Sequence, residues 1–149
     1  MTTPYIDIAA AQLYFDDRLN SEAWTAASVV DQLKALKMAT QLINNLKFIG
    51  QPAVSGQSNE FPRLGQSTVP IMVQQATCEI AIQLLDDIDP NLEADGLAIQ
   101  TIQYGDLKIM SNQAGIPVYT RNNIPSSRAW ALLVPYLIDP TILKLVRVN

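Results

Sequence analysis

The sequence predicts a mainly α fold: a small four-helix bundle-like domain with an inserted β-hairpin and a long loop between helices 3 and 4, and an extended carboxyl-terminal arm. Three observations predict it. Apolar residues recur at three- and four-residue steps from Val29 to Leu46 and again from Val69 to Leu84. Cap and stop residues bracket the first of these runs, with Ser28 and Asp31 before it and Gly50 and Pro52 after it. Only around Gly105 and Asp106 does the period change to the alternation of a strand. A chain of 149 residues falls in the single-domain range. The expected division is a helical domain over 1–140 and an arm over 141–149.

The first helix carries Ile8, Ala11 and Leu13 as apolar positions and closes at Tyr14 and Phe15. Asn20 or Ser21 can cap the next turn, with Trp24 folding back as an anchor. Ser28 starts the second helix in a variant capping box, with Asp31 where Glu is usual. Val29, Leu33, Leu36, Thr40, Ile43 and Leu46 then fall on one side, and Lys34, Lys37, Gln41, Asn44 and Asn45 mostly on the other. A polar loop follows Gly50, with Phe61, Pro62 and Arg63 in its middle, where an aromatic usually pins the loop to the body. Ser67 or Thr68 is the expected cap of helix 3, with Pro70 in its first turn. Its buried side reads Val69, Val73, Ala76, Ile80 and Leu84, widened by Met72 and Leu85, and it ends near residues 86–88, before Pro90.

Residues 97–111 read as a β-hairpin turning at Gly105 and Asp106. A lone hairpin is marginal, so it must pack on the helices or pair with another chain. The polar stretch over about 112–126 is too long for a tight turn and is expected to project. Pro125, Ser126 and Ser127 open helix 4, which carries Trp130, Leu133 and Leu137 on one side and is bent or ended by Pro135. The last nine residues, TILKLVRVN, either lie on the parent core as a strand or turn, or add to a neighbouring subunit as an arm. The arm is the favoured reading, because Ile142, Leu143, Leu145, Val146 and Val148 would otherwise leave apolar surface in water.

Inventory excludes much chemistry. With no histidine and a single cysteine, Ser/His/Asp, Cys/His and zinc sites and an intramolecular disulfide are all ruled out. Cys78, beside Ala76, Ile80 and Ala81, reads as a buried thiol. The carboxylate pairs Asp16–Asp17 and Asp86–Asp87 read as solvated helix ends, so no catalytic residue, cofactor or enzymatic activity is expected. No run reaches the roughly 20 apolar residues of a membrane span, and the amino terminus lacks the pattern of a signal peptide. The 48% hydrophobic and 16% charged composition is poor in charge against an average of about 25%, so some apolar surface is expected to meet other chains. The net charge is −4. It is unevenly spread: Glu79, Asp86, Asp87, Asp89, Glu93 and Asp95 form a tract without Lys or Arg, whereas Arg128, Lys144 and Arg147 leave the end basic.

One set of residues carries a resemblance over nearly the whole chain. Tyr14, Phe15, Arg18, Leu19, Asn20, Ala23, Trp24, Ala39, Thr40, Leu42, Ile43, Lys47, Phe48 and Gly50 come first, then Phe61, Pro62 and Arg63, then Pro70, Ala76, Cys78, Glu79, Ala81, Leu84 and Leu85. Tyr104, Gly105 and Asp106, and finally Leu132, Leu133, Pro135, Tyr136 and Leu137, complete the order. In these the chain resembles the neck adaptor, head-completion or head-tail connector proteins of tailed bacteriophages, whose members often bear the label DnaT-like single-stranded DNA-binding protein.

The adaptor resemblance implies a structural virion protein of the neck, made in the host cytoplasm. It implies a homo-oligomeric ring of about twelve subunits closed by head-to-tail contacts. Its partners would be the portal protein, the next neck or tail-completion protein, and double-stranded DNA passing through an acidic lumen without specific binding. No membrane partner is implied. Carried onto this chain, Ile142, Leu143, Lys144, Leu145, Val146, Arg147 and Val148 become a portal-docking arm. Tyr104, Gly105, Asp106, Ile116, Tyr119 and Arg121 become subunit or tail-side contacts. The alternative is a DnaT-like single-stranded DNA-binding replication accessory protein. Against it, Tyr14, Phe15 and Trp24 sit among Asp16, Asp17 and Glu22 rather than among cations, and read as core.

Overall fold

The computed structural model describes residues 2–92, 101–104, 107–110 and 116–138, the two strands by backbone alone, and six helices and one short antiparallel strand pair lie wholly within them. The helices are α1 (Ile8–Asp16), α2 (Glu22–Ala26), α3 (Val29–Asn44), α4 (Ile71–Leu85), α5 (Val118–Arg121) and α6 (Ser127–Leu133), the last continued by a 3-10 turn over Val134–Tyr136. The fold is mainly helical, as predicted.

α4 is the axis of the molecule. It packs on α3, α6, α1 and α2, and Val73, Ala76, Thr77, Cys78, Glu79, Ile80, Ala81 and Ile82 are all buried. A helix closed in on most sides is apolar around most of its circumference rather than along one stripe. That is why the predicted five-residue stripe understates it. Its start also differs from expectation: Pro70 is the N-cap, and no side chain caps the helix. The fixed φ of Pro70, −57°, sets the chain entry instead.

α3 begins as predicted. Ser28 Oγ accepts from the Asp31 N–H at 3.1 Å and donates to the Asp31 carboxylate at 2.8 Å. The shorter Asp side chain thus closes the box on the Ser hydroxyl rather than on the backbone. Leu36, Thr40, Ile43 and Leu46 are buried as predicted, but the buried face is wider than the predicted stripe and leaves out its first residue. Gln32, Ala35, Leu36, Ala39, Thr40 and Ile43 face inward, whereas Val29 is 65% exposed. Ala35 and Ala39 face the core because small residues let helices approach closely, a preference that a hydrophobicity pattern alone does not register. Leu13, predicted apolar face of α1, is likewise exposed.

Trp24 is fully buried, stacked on Phe15 with ring centroids 4.6 Å apart, and its indole N–H donates to Gln12 at 2.9 Å. The turn expected between the first two helices is a separate five-residue helix, α2, so Ile8–Asn44 holds three helices rather than two. The Phe61 tripeptide does pin its loop. Phe61 packs edge-on against Tyr5, Phe48 and Tyr136, the Phe61–Pro62 peptide is cis, and Arg63 is 6% exposed.

Ser126 caps α6 by accepting from the Ala129 N–H, and Pro135 lies in the 3-10 turn that ends it. Beyond, Leu137 bridges antiparallel to Phe48, with Ile138 N–H donating to Lys47 O at 3.0 Å. Thr101–Tyr104 pairs antiparallel with Leu107–Met110, Tyr104 opposite Leu107. Gly105, Asp106 and residues 111–115 lie outside the described residues. The expected projecting loop is corrected over its second half: Val118–Arg121 is helical, Thr120 is buried, and Ile124 is 1% exposed. Ile124 anchors the segment, because its N–H donates to Tyr119 O while its side chain enters the core.

Candidate functional site

The most concentrated polar chemistry among the described residues surrounds Glu79. Its place in the middle of α4, between Cys78 and Ile80, brings the carboxylate into the core, where it is 1% exposed. An isolated charge there is costly, and the surrounding elements supply its partners. Arg18, in the turn after α1, meets it side-on, with Nε to Oε1 and Nη2 to Oε2 both at 2.8 Å. Tyr14, one helical turn earlier, donates its hydroxyl to Oε1 at 2.5 Å. Arg128, near the start of α6, brings Nη1 to 3.6 Å. Three separate elements therefore converge on one carboxylate.

Arg18 is itself fixed, since its Nη1 donates to the carbonyls of Leu19 and Asn20. Asn20 adopts a φ of +57°, a left-handed conformation that asparagine tolerates, and turns those carbonyls toward the guanidinium. Above the carboxylate opens a cleft of about 740 Å³ whose wall includes Tyr14, Asp17, Arg18, Gln75, Arg128 and Leu132. Arg128 is the accessible cation of this cleft, with its side chain 65% exposed. Hydrogen bonding to Glu79 raises the pKa of Arg18 further, and burial together with the Glu79 bond holds the Tyr14 phenol well above its ordinary value. Both groups thus keep their protons over the working pH range.

This protonation has an alkaline consequence. Burial also lifts Tyr5 from 10.0 to about 12 and the Cys78 thiol from 9.0 to about 12. Each group is protonated in the fold at a pH where the unfolded chain has lost the proton. The stability these protons contribute is therefore fully present well below pH 9, and falls first as unfolded Cys78 ionises, then more steeply above pH 10 as the tyrosines follow. Each group adds a slope of up to about 1.4 kcal/mol per pH unit. Thermal melts from pH 8 to 11.5 are expected to show this decline, with Tyr14→Phe reducing the slope above pH 10. A melting temperature constant to pH 11 would contradict it.

The cluster was not among the residues singled out for function. The sequence places Glu79 in an acidic tract without Lys or Arg, and Arg18 lies 61 positions away. The available signal was local: one carboxylate inside the otherwise uncharged run from Ile71 to Leu85. Of the residues that were singled out, Tyr119 is half-buried against the core and Ile116 is half-buried. Arg121 is exposed, with Nε donating to Ile116 O at 2.9 Å. Gly105, Asp106 and Ile142 to Val148 lie outside the described residues, as does the Tyr104 side chain. Cys78 is buried and free.

Among the described residues no group of three or more Cys, Asp or Glu side chains is placed to hold a metal ion, and no helix is long and apolar enough to cross a membrane. The aromatic rings are largely spoken for. Tyr5, Phe15, Trp24, Phe48 and Phe61 are buried, and Tyr14, Tyr119, Trp130 and Tyr136 are half-buried against them.

Comparison with known proteins adds one finding. The family profile described as "Putative DnaT-like ssDNA binding protein" matches residues 3–148. No curated protein and no solved structure matches the chain.

Proposed function

Because the chain belongs to this DnaT-like family, we propose that it is a non-enzymatic accessory protein that binds single-stranded DNA. The observation that carries the reading is the extent of the match, from residue 3 to residue 148. The structure narrows the mode of contact. Binding by stacking bases needs open aromatic faces, and the described rings are packed. Contact therefore runs through phosphates, with Arg128 at the cleft rim and Arg121 on α5 as the exposed guanidiniums of the described residues. Since the net charge of −4 opposes a polyanion at long range and the described residues expose few cations, affinity is modest and its salt dependence shallow.

The test is titration of a labelled oligonucleotide over a salt series. Each neutralised phosphate contributes a slope of about −0.7 in log affinity against log salt for single strands. Arg128→Glu is expected to weaken binding at least tenfold and to make the slope shallower by about one such unit. Base composition is expected to matter little. Absence of any complex at low salt and tens of micromolar protein would overturn the reading.

A second reading, the neck adaptor of a tailed phage, draws support from the surface. Leu19 is 86% exposed, Ile71 70%, Leu64 66% and Val54 65%, far more large apolar exposure than phosphate contact uses. Side chains of this kind suit contacts with other protein subunits, such as a ring of like copies, a portal and a following neck component. In that reading the virion neck is the protein's destination and DNA passes without being held.

A further inference from the structure

A groove of about 760 Å³ lies where the start of α3 meets the end of α4. Its floor is apolar and shallow, built from Ala23, Ala27, Ala35, Met38, Leu84 and Leu85. Its rim is acidic: Asp31, Asp86, Asp87 and Asp89 against the single cation Lys34, which is already engaged with Asp31 at 3.0 Å. Alanines on both α2 and α3 leave room that larger residues would fill. The groove thus selects a narrow apolar segment that carries positive charge.

The chain itself contains one such segment. Residues 142–148, ILKLVRV, hold five aliphatic side chains with Lys144 and Arg147 between them and no carboxylate. We propose that the groove receives the carboxyl-terminal segment of a second copy of this chain, whose aliphatic side chains cover the alanine floor while Lys144 and Arg147 meet Asp86, Asp87 and Asp89. The inference does not depend on the DNA-binding reading.

Two features favour a second copy over a tail folded back on its own body. The chain reaches Ile138 beside Lys47, past the carboxyl-terminal end of α3, while the groove flanks the amino-terminal half of that helix. Exit and groove are therefore at opposite ends of the α3–α4 pair. Both ends also carry exposed apolar side chains, with Ile49, Val54, Leu64 and Ile138 near the exit and Val30, Met38 and Leu92 near the groove. A back-folded tail would cover only the second group, whereas a head-to-tail contact brings the two ends together. Such a contact is heterologous, so it builds a ring or a filament rather than a closed dimer.

Charge exchange tests it. Sedimentation of the full chain between 1 and 100 µM at low salt is expected to show concentration-dependent association. Lys144→Glu with Arg147→Glu should weaken it at least tenfold, and so should Asp86→Lys with Asp87→Asn. Asparagine is used at 87 because it tolerates the φ of +60° there. An equimolar mixture of the two variants should form a one-to-one complex, since the unaltered basic tail of the rim variant still meets the unaltered acidic rim of the tail variant, while the acidic tail finds a rim that is only neutralised and the chain stops there. A full chain monomeric at 100 µM, the result a back-folded tail would give, overturns the proposal. So does association that neither charge reversal alters. Oligonucleotide titration of the same variants separates this outcome from failure of the DNA-binding reading.

Discussion

Arg18→Ala is expected to destabilise the protein by about 3–5 kcal/mol, the cost of stranding a buried charge whose partner has been removed. Glu79 is 1% exposed and receives two 2.8 Å bonds from Arg18. Arg128 lies at 3.6 Å with its side chain 65% exposed, too far out to replace them. The reverse change, Glu79→Gln, costs less: Arg18 is 16% exposed and recovers water on its outer edge, while the amide still accepts from Tyr14. The double variant Arg18→Met with Glu79→Leu is expected to recover most of the loss, because apolar packing of similar volume often equals a buried pair in stability. Urea denaturation of the three variants checks the order. If Arg18→Ala proves milder than Glu79→Gln, the carboxylate is not the group that needs protection.

This cluster also marks where the sequence was readable and where it was not. Local features transferred well. The Ser28–Asp31 cap, the Pro125–Ser127 opening of α6 and the burial of Trp24 and Cys78 depend on residues close together in the chain, and all are found. Features set by distant residues did not transfer. Nothing in the neighbourhood of Glu79 shows that Arg18 will meet it, and a carboxylate with a partner 61 positions away looks the same in sequence as one in water. The added width of the α3 face has a similar origin, since the closeness of α4 decides that Ala35 and Ala39 face inward and Val29 outward. Ile124 was hidden among polar neighbours, Arg121, Asn122, Asn123 and Ser126, so its 1% exposure had no periodic signal. The acidic rim of the groove was visible as composition, but the alanine floor beneath it needs three helices to exist.

Arg63→Ala is expected to lower stability by about 3 kcal/mol or more, and Arg63→Lys to restore little of it. The guanidinium is 6% exposed and donates to the carbonyls of Ile49 at 2.8 Å, Glu60 at 3.1 Å and Phe48 at 3.4 Å, to that of Gly50, and to the Glu60 carboxylate at 2.6 Å. It also lies over the rings of Phe48 and Phe61, 5.7 and 5.9 Å from their centroids. Removing it leaves several carbonyls without a donor, each costing about 1–3 kcal/mol where water cannot reach. Lysine does not substitute, because a compact ammonium presents three donors from one point and has no planar face to lay against an aromatic ring. The damage spreads along a defined route. Residues 48–50 hold the segment that follows α6, through the Phe48–Leu137 bridge and the bond from Ile49 N–H to Tyr136 O. Loss of Arg63 should therefore free the Ile49 and Ile138 amides to exchange with solvent well before those of α3 and α4. For a chain of this size each kcal/mol lowers the melting temperature by about 2–4 °C, so a drop on the order of 10 °C is expected for Arg63→Ala. An Arg63→Lys protein that melts with the parent would show that charge alone, and not the planar fork, holds this loop to the core.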